Sequence, residues 1–150
     1  MSFEEKKLFD EQKSKVLKYI LYKKRTENEV RKKFENVIDE YMLDDIIEYL
    51  KEAKYIDDKQ YIERTINNFQ ILKNLSLVEV KNKLITKGIR KDDIEDYFYE
   101  NKEKLENYEI KSVKNIIQKK QKDMEFDKIK LYLLKKGYKS DNINLAIEEL

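Results

Sequence analysis

Two glycines and no proline occur in 150 residues, and both glycines close the same local pattern. Glu79-Val80-Lys81-Asn82-Lys83-Leu84-Ile85-Thr86-Lys87-Gly88 and Lys128-Ile129-Lys130-Leu131-Tyr132-Leu133-Leu134-Lys135-Lys136-Gly137 stand 49 residues apart. The match continues without a gap, Ile94 and Phe98 falling on Ile143 and Ile147. Upstream, Val30 and Phe34 match Val80 and Leu84 at an offset of 50, and Ile46 and Leu50 match Ile94 and Phe98 once two extra residues enter the first loop. A self-similarity of this period marks a repeat array, whose units are too small to bury a core alone and share one with their neighbours.

Each copy reads as three helices. The pairs Val30/Phe34, Val80/Leu84 and Ile129/Leu133 are i,i+4 neighbours on one helix face, and the downstream pairs repeat this on a second helix. A third amphipathic helix precedes them, with Val16, Leu17, Ile20 and Leu21 in the first copy, Tyr61, Ile62, Ile66 and Phe69 in the second, and Ile110, Val113, Ile116 and Ile117 in the third. The expectation is an all-α chain of three tandem, helix-turn-helix-like repeats, 1–56, 57–107 and 108–150, forming an elongated, curved array. Thr26-Glu27-Asn28-Glu29 and Ser76-Leu77-Val78-Glu79 are capping boxes at equivalent positions, and Gly88 and Gly137 suit the left-handed residue after a helix. The first copy lacks that glycine and the third lacks a clean capping box.

Charged residues reach 43%, but the apolar 40% recurs at helical spacing, so the chain folds. With no cysteine and no histidine, disulfides, thiolate or imidazole metal sites and near-neutral proton shuttles are ruled out, which argues against an enzyme and against a cofactor. The charged N-terminal stretch and the lack of any apolar run near membrane-spanning length predict a cytoplasmic protein. Net charge is only +2, but residues 111–136 hold nine lysines against Asp123, Glu125 and Asp127. Such a cluster attracts polyanions or forms a solvated face.

The acidic pairs Asp44-Asp45, Asp57-Asp58 and Asp92-Asp93 suggest helix capping in preference to metal binding, each lying near an expected helix start. Phe34, Tyr61, Phe69 and Phe98 fall on apolar stripes as core residues, whereas Tyr22, Tyr99 and Tyr132 lie beside lysines or off the stripe, open to base stacking. A major-groove reading of the short helix pairs is opposed by their mixed Lys and Glu content and by only four arginines.

The order of three units, the segment Tyr49-Leu50-Lys51-Glu52-Ala53-Lys54-Tyr55-Ile56-Asp57-Asp58-Lys59-Gln60-Tyr61 and the turn Lys87-Gly88-Ile89 resemble the RecX family over residues 14–150. Two departures stand out: Ala53-Lys54 replaces the family's usual glycine before Tyr55, and Asn74-Leu75 stands where a Lys-Gly or Arg-Gly step is common. The resemblance implies a monomeric, non-enzymatic regulator that binds the RecA filament and modulates its assembly, ATP turnover and strand exchange, with weak non-specific DNA contact. It places Lys23, Lys24, Arg25, Arg31 and Lys32 of the first unit, Lys81, Lys87, Arg90 and Lys91 of the second, and Lys119, Lys120, Lys122 and Lys130 of the third toward filament or DNA. A stand-alone DNA-binding protein and a generic helical scaffold are the alternatives.

Overall fold

A computed structural model describes residues 2–72 and 74–150, without the side chains of residues 70–72. Among the described residues there are nine helices and no strand: α1 Phe3–Tyr22, α2 Glu27–Phe34, α3 Glu40–Glu52, α4 Asp58–Leu72, α5 Leu77–Thr86, α6 Lys91–Glu100, α7 Lys102–Lys120, α8 Phe126–Lys136 and α9 Ser140–Glu148. Taken in chain order they can be grouped as three triplets, α1–α3, α4–α6 and α7–α9, an order consistent with the expected repeats. The break expected between 107 and 108 instead lies inside α7, which starts at Lys102, because Asn101 ends α6 and passes straight into the next helix.

Local chemistry sets the helix ends. The Ser2 hydroxyl accepts the Glu5 amide at the start of α1, with Glu4 and Glu5 complementing the positive end of its dipole. α3 ends on Lys54, a non-glycine residue at φ 65°, with the Tyr55 amide donating to Leu50 O at 2.8 Å and the Lys54 amide to Lys51 O at 3.0 Å. This is the left-handed cap that Gly137 makes after α8, where Tyr138 and Gly137 donate to Leu133 O and Leu134 O. Lys54 therefore holds the glycine conformation without being glycine, which resolves the departure noted at Ala53-Lys54.

Repeat-equivalent positions are buried alike. Val30, Val80 and Ile129 are each at most 1% exposed, as are Leu84 and Leu133, with Phe34 at 6%. On the first helix of each triplet Val16/Ile20, Ile62/Ile66 and Val113/Ile117 are all buried, two turns of one face repeated three times. A fully buried aliphatic side chain contributes roughly 1.5–3 kcal/mol, so these stripes hold the triplets together. Not every expected core position is fully buried: Leu21 is 66% exposed, and Tyr61, Phe69 and Phe98 are half-buried, the last two beneath the ammonium groups of Lys83 and Lys81.

Compaction does not follow the three triplets. One compact unit runs to Tyr61 and takes in Lys87–Ile89; the other comprises Ile62–Thr86 and Arg90–Leu150. In the first, the core comprises Val16, Ile20, Val30, Phe34, Leu43, Ile46, Ile47 and their neighbours. In the second, Val113, Ile117, Ile129, Leu133, Ile143 and Ala146 form a cluster about α7, which packs extensively along α9.

Candidate interaction surface

Two joints of the same design connect consecutive triplets, one inside each compact unit, and they position the basic residues. In the first, Thr26, fully buried, accepts the Glu29 amide at 3.1 Å while its own amide donates to Glu29 Oε1 at 3.2 Å, completing the capping box of α2. The Thr26 hydroxyl then donates to Lys87 O at 3.0 Å, in the turn that closes α5. In the second, fully buried Ser76 repeats the box with Glu79 at 3.1 Å each way and donates to Lys136 O at 2.6 Å, in the turn that closes α8. One hydroxyl thus serves the start of one helix and the end of another.

The glycine belongs to the same joint. Gly88 and Gly137 sit at φ +83° and +94°, and a Cβ on Gly88 would overlap the Asn28 side chain, while one on Gly137 would meet Val78 Cβ at 2.9 Å. Asn28 and Val78 are equivalent residues of the preceding triplet's capped helix. Glycine is needed here for close approach as well as for its backbone angle. The divergence seen in the sequence follows directly: the first triplet carries only the hydroxyl half of a joint and the third only the glycine half. Consistently, Glu125, the residue equivalent to Ser76, makes no side-chain cap to α8.

A carboxylate completes each joint. Asp58 Oδ1 accepts the Glu27 amide at 3.1 Å. At the equivalent place Glu109, fully buried, accepts the Leu77 amide at 2.8 Å through Oε2, and through Oε1 the Lys139 amide at 2.8 Å and Asn142 Nδ2 at 3.0 Å. Two helix N-termini converge on this carboxylate, a favourable site for a negative charge. Tyr108 donates to Leu75 O at 2.8 Å and Tyr138 shares a 2.6 Å bond with Ser112. Burial pushes the Tyr108 phenol up to about 12 and that of Tyr138 higher still. These side chains stay neutral and structural.

The acidic pairs divide. Asp57 caps α4 through the Gln60 amide at 3.1 Å, and Asp92 and Asp93 lie in the first turn of α6. Asp44 lies well inside α3 and does not cap: it binds Arg31 at 2.6 Å. No group of three or more potential ligands for a metal ion occurs among the described residues.

The predicted basic residues separate into three kinds. Lys23, Lys24 and half-buried Arg25 lie in the segment leading into Thr26, and the Thr26 hydroxyl bond brings exposed Lys87 against that segment. Arg25 stacks over Tyr19 at 4.1 Å, where its buried Nε has no hydrogen-bond partner. In the second compact unit Lys119 and Lys120 rim a cavity of about 430 Å³ lined also by Asn74, Ile116, Asp123, Met124 and Tyr132. Lys120 lies 4.2 Å from the Tyr132 ring centroid and Lys136 5.7 Å from it, so lysines cover this ring instead of leaving it open to stacking. Exposed Lys122 follows in the turn, and Lys130 stands 5.8 Å from the Phe126 ring.

Other predicted contacts are engaged elsewhere or isolated. Arg31 is taken up by Glu27 at 3.1 Å and Asp44 at 2.6 Å, hydrogen bonding to Asp44 raising its already high pKa. Its guanidinium is thus already held within the fold. Lys81 covers Phe98, Lys91 faces Glu95 at 4.0 Å, and Arg90 and Lys32 are exposed. Tyr22 and Tyr99 are freely accessible at 86% and 84% exposure, as are Phe3 at 83% and Tyr41 at 80%. Lys136 and Glu109 were not singled out from the sequence; Lys136 precedes Gly137 as Lys87 precedes Gly88, so the repeat itself carried the signal.

No helix among the described residues is long and apolar enough to cross a membrane. No family model matches the chain. It is 36% identical over 139 residues to a regulatory protein RecX of Staphylococcus carnosus, covering 90% of this chain and 52% of the relative. It is 30% identical over 148 residues to a regulatory protein RecX of Clostridium acetobutylicum, covering 92% and 68%. The chain thus spans about half the length of the staphylococcal relative and about two thirds of the clostridial one. A crystal structure of RecX from Lactobacillus salivarius superposes with a TM-score of 0.78 at 25% identity, over 95% of this chain and 96% of that one. A further RecX crystal structure shares the fold with a TM-score of 0.75 at 21% identity.

Proposed function

Since the chain belongs to the RecX family, we propose that it is a non-enzymatic regulator that binds the RecA filament on DNA and modulates filament assembly, ATP turnover and strand exchange, and through them recombination and DNA repair. The observation that supports this reading is the recurrence of basic residues at both joints, Lys23, Lys24, Arg25 and Lys87 at one and Lys119, Lys120 and Lys136 at the other. A filament presents identical protomers at regular intervals. A chain that repeats its own basic edge engages several of them, gaining effective concentration that single contacts lack. Near-neutral overall charge favours such a protein partner over bare DNA, since only the joints and the 111–136 segment attract phosphate.

The test adds purified protein to RecA assembled on single-stranded DNA and follows filament length and ATP hydrolysis. Charge reversal of Lys119, Lys120 and Lys122 together should weaken the effect, and a control reversal at exposed Lys102, which lies outside the proposed contacts, should weaken it less. A second reading, autonomous DNA binding, draws on the lysine-aromatic edge of α8. It predicts an affinity for bare DNA that falls steeply with salt. Tight binding to bare DNA with no change in filament length or ATP hydrolysis would replace the first reading with the second.

A further inference from the structure

The first triplet carries a seat that the joints fill elsewhere. Along α1, Leu8, Gln12, Val16 and Ile20 occupy the positions held in α7 by Leu105, Glu109, Val113 and Ile117, the last two pairs buried in both helices. The first two pairs differ. Leu105 is 2% exposed and Leu8 45%; Glu109 binds three donors, whereas the side-chain amide oxygen of Gln12 is buried with no hydrogen-bond partner. In α4 the Gln12 position is held by Asp58, which accepts the first amide of the preceding triplet's capped helix. The seat therefore has the residue types of a joint, an acceptor side chain whose unpartnered oxygen turns outward on docking and an apolar neighbour, without the helix that fills one.

The third triplet offers the complementary part. Leu77, whose amide is the one given to Glu109, is 8% exposed, while its equivalent Phe126 at the start of α8 is 43% exposed, with Leu131 and Leu134 exposed farther along the same helix. Charge favours the pairing as well. Residues 3–12 hold Glu4, Glu5, Asp10 and Glu11 against Lys6 and Lys7, and residues 119–136 hold seven lysines against three acidic residues.

We infer that the chain associates head to tail with a second copy, the start of α8 in one copy seating on the Leu8–Gln12 face of α1 in the next. The contact is heterologous, since two different faces meet. It is weaker than an internal joint: Glu125 supplies no capping hydroxyl, and no glycine follows α2. The chain is a monomer when dilute and associates when concentrated, or when a repetitive partner lines copies up.

The test uses the full chain with no recombinase or DNA present, so its outcome is independent of the proposed function. Sedimentation velocity from dilute to concentrated protein should show a rising average mass that is suppressed by salt. Leu8→Glu and Phe126→Glu each block one face and should each sediment as monomers alone; mixed, they retain one intact pair of faces and should stop at dimers. Gln12→Glu restores the carboxylate found at this position in the other triplets and should tighten association several-fold, since a charged acceptor strengthens the bond. Circular dichroism confirms that all variants remain helical. A single monomeric species at every concentration, or association unaffected by both blocking variants, overturns the inference.

Discussion

The two joints share one plan and differ in how wet they are. At the first, the carboxylate is half-buried Asp58, the residue above the glycine is polar Asn28, and the surrounding charge is neutralised by solvent-accessible pairs, Glu27 with Lys51 and Arg31. At the second, the carboxylate is fully buried Glu109, the residue above the glycine is Val78, and two buried tyrosines close the site. The same geometry is thus held by ionic bonds in contact with water in one place and by enclosed hydrogen bonds in the other. Enclosed polar groups are costly when they lose a partner, whereas solvated ones find water instead. The second joint should be the more brittle.

The largest expected effect tests that asymmetry. Glu109→Ala strands two backbone amides and the Asn142 side chain in the interior and should cost roughly 2–4 kcal/mol in urea unfolding, against about 1 kcal/mol for Asp58→Ala. Equal losses would erase the distinction between wet and dry joints. Next come the glycines: Gly88→Ala and Gly137→Ala each meet a positive φ and an occupied space, and each should lose about 1–3 kcal/mol. The hydroxyls are smaller, with Ser76→Ala and Thr26→Ala expected near 1 kcal/mol. Because the Ser76 bond is the shorter, 2.6 against 3.0 Å, Ser76→Ala should be the more damaging of the two.

A substitution in the opposite direction sharpens the role of backbone angle alone. Lys54 is exposed and left-handed, so Lys54→Gly relieves strain with no neighbour to lose and should raise the unfolding midpoint by the equivalent of about 0.5–1 kcal/mol.

The smallest effects are expected from pH. Burial raises the Glu27 carboxyl, but hydrogen bonds from Lys51 and Arg31 outweigh it and hold the group below its ordinary value of 4.5. Its contribution is present above the unfolded pKa and lost as pH falls through the folded one. Tyr108 behaves oppositely. Its phenol, raised to about 12, leaves stability intact below the unfolded value near 10 and removes it as pH climbs toward 12. Acid unfolding of Glu27→Gln and alkaline unfolding of Tyr108→Phe, each against the parent chain, should show the respective limb flattened.

Much of this was readable from residue order. The helices of the described residues and the equivalence of Val30, Val80 and Ile129 followed from apolar spacing, because burial of one helix face imposes a period that survives sequence divergence. Capping boxes were readable because their partners lie three residues away. What escaped depended on distant partners. Neither the bond from Ser76 to Lys136 O nor the gathering of two helix N-termini on Glu109 has a local signature, and Glu109 reads as one more charge on a highly charged helix. The bond from Arg31 to Asp44 escaped for the same reason, since Asp44 lies 13 residues away on a different helix. Phe69 and Phe98 fitted the apolar stripe, but lysines from neighbouring helices cover them.

The hydroxyl joint also has a consequence in time. Thr26 and Lys87 are 61 residues apart, Ser76 and Lys136 60. During synthesis at roughly 5–20 residues per second, each hydroxyl emerges some 3–12 s before the carbonyl it will bind exists. That is far longer than the microseconds a helix needs to form. Each capped helix therefore has time to form and pack within its own triplet while its outward bond is still made to water. Growth then closes the joints in strict order from the first triplet to the third, so the direction of translation is also the direction in which the array is assembled.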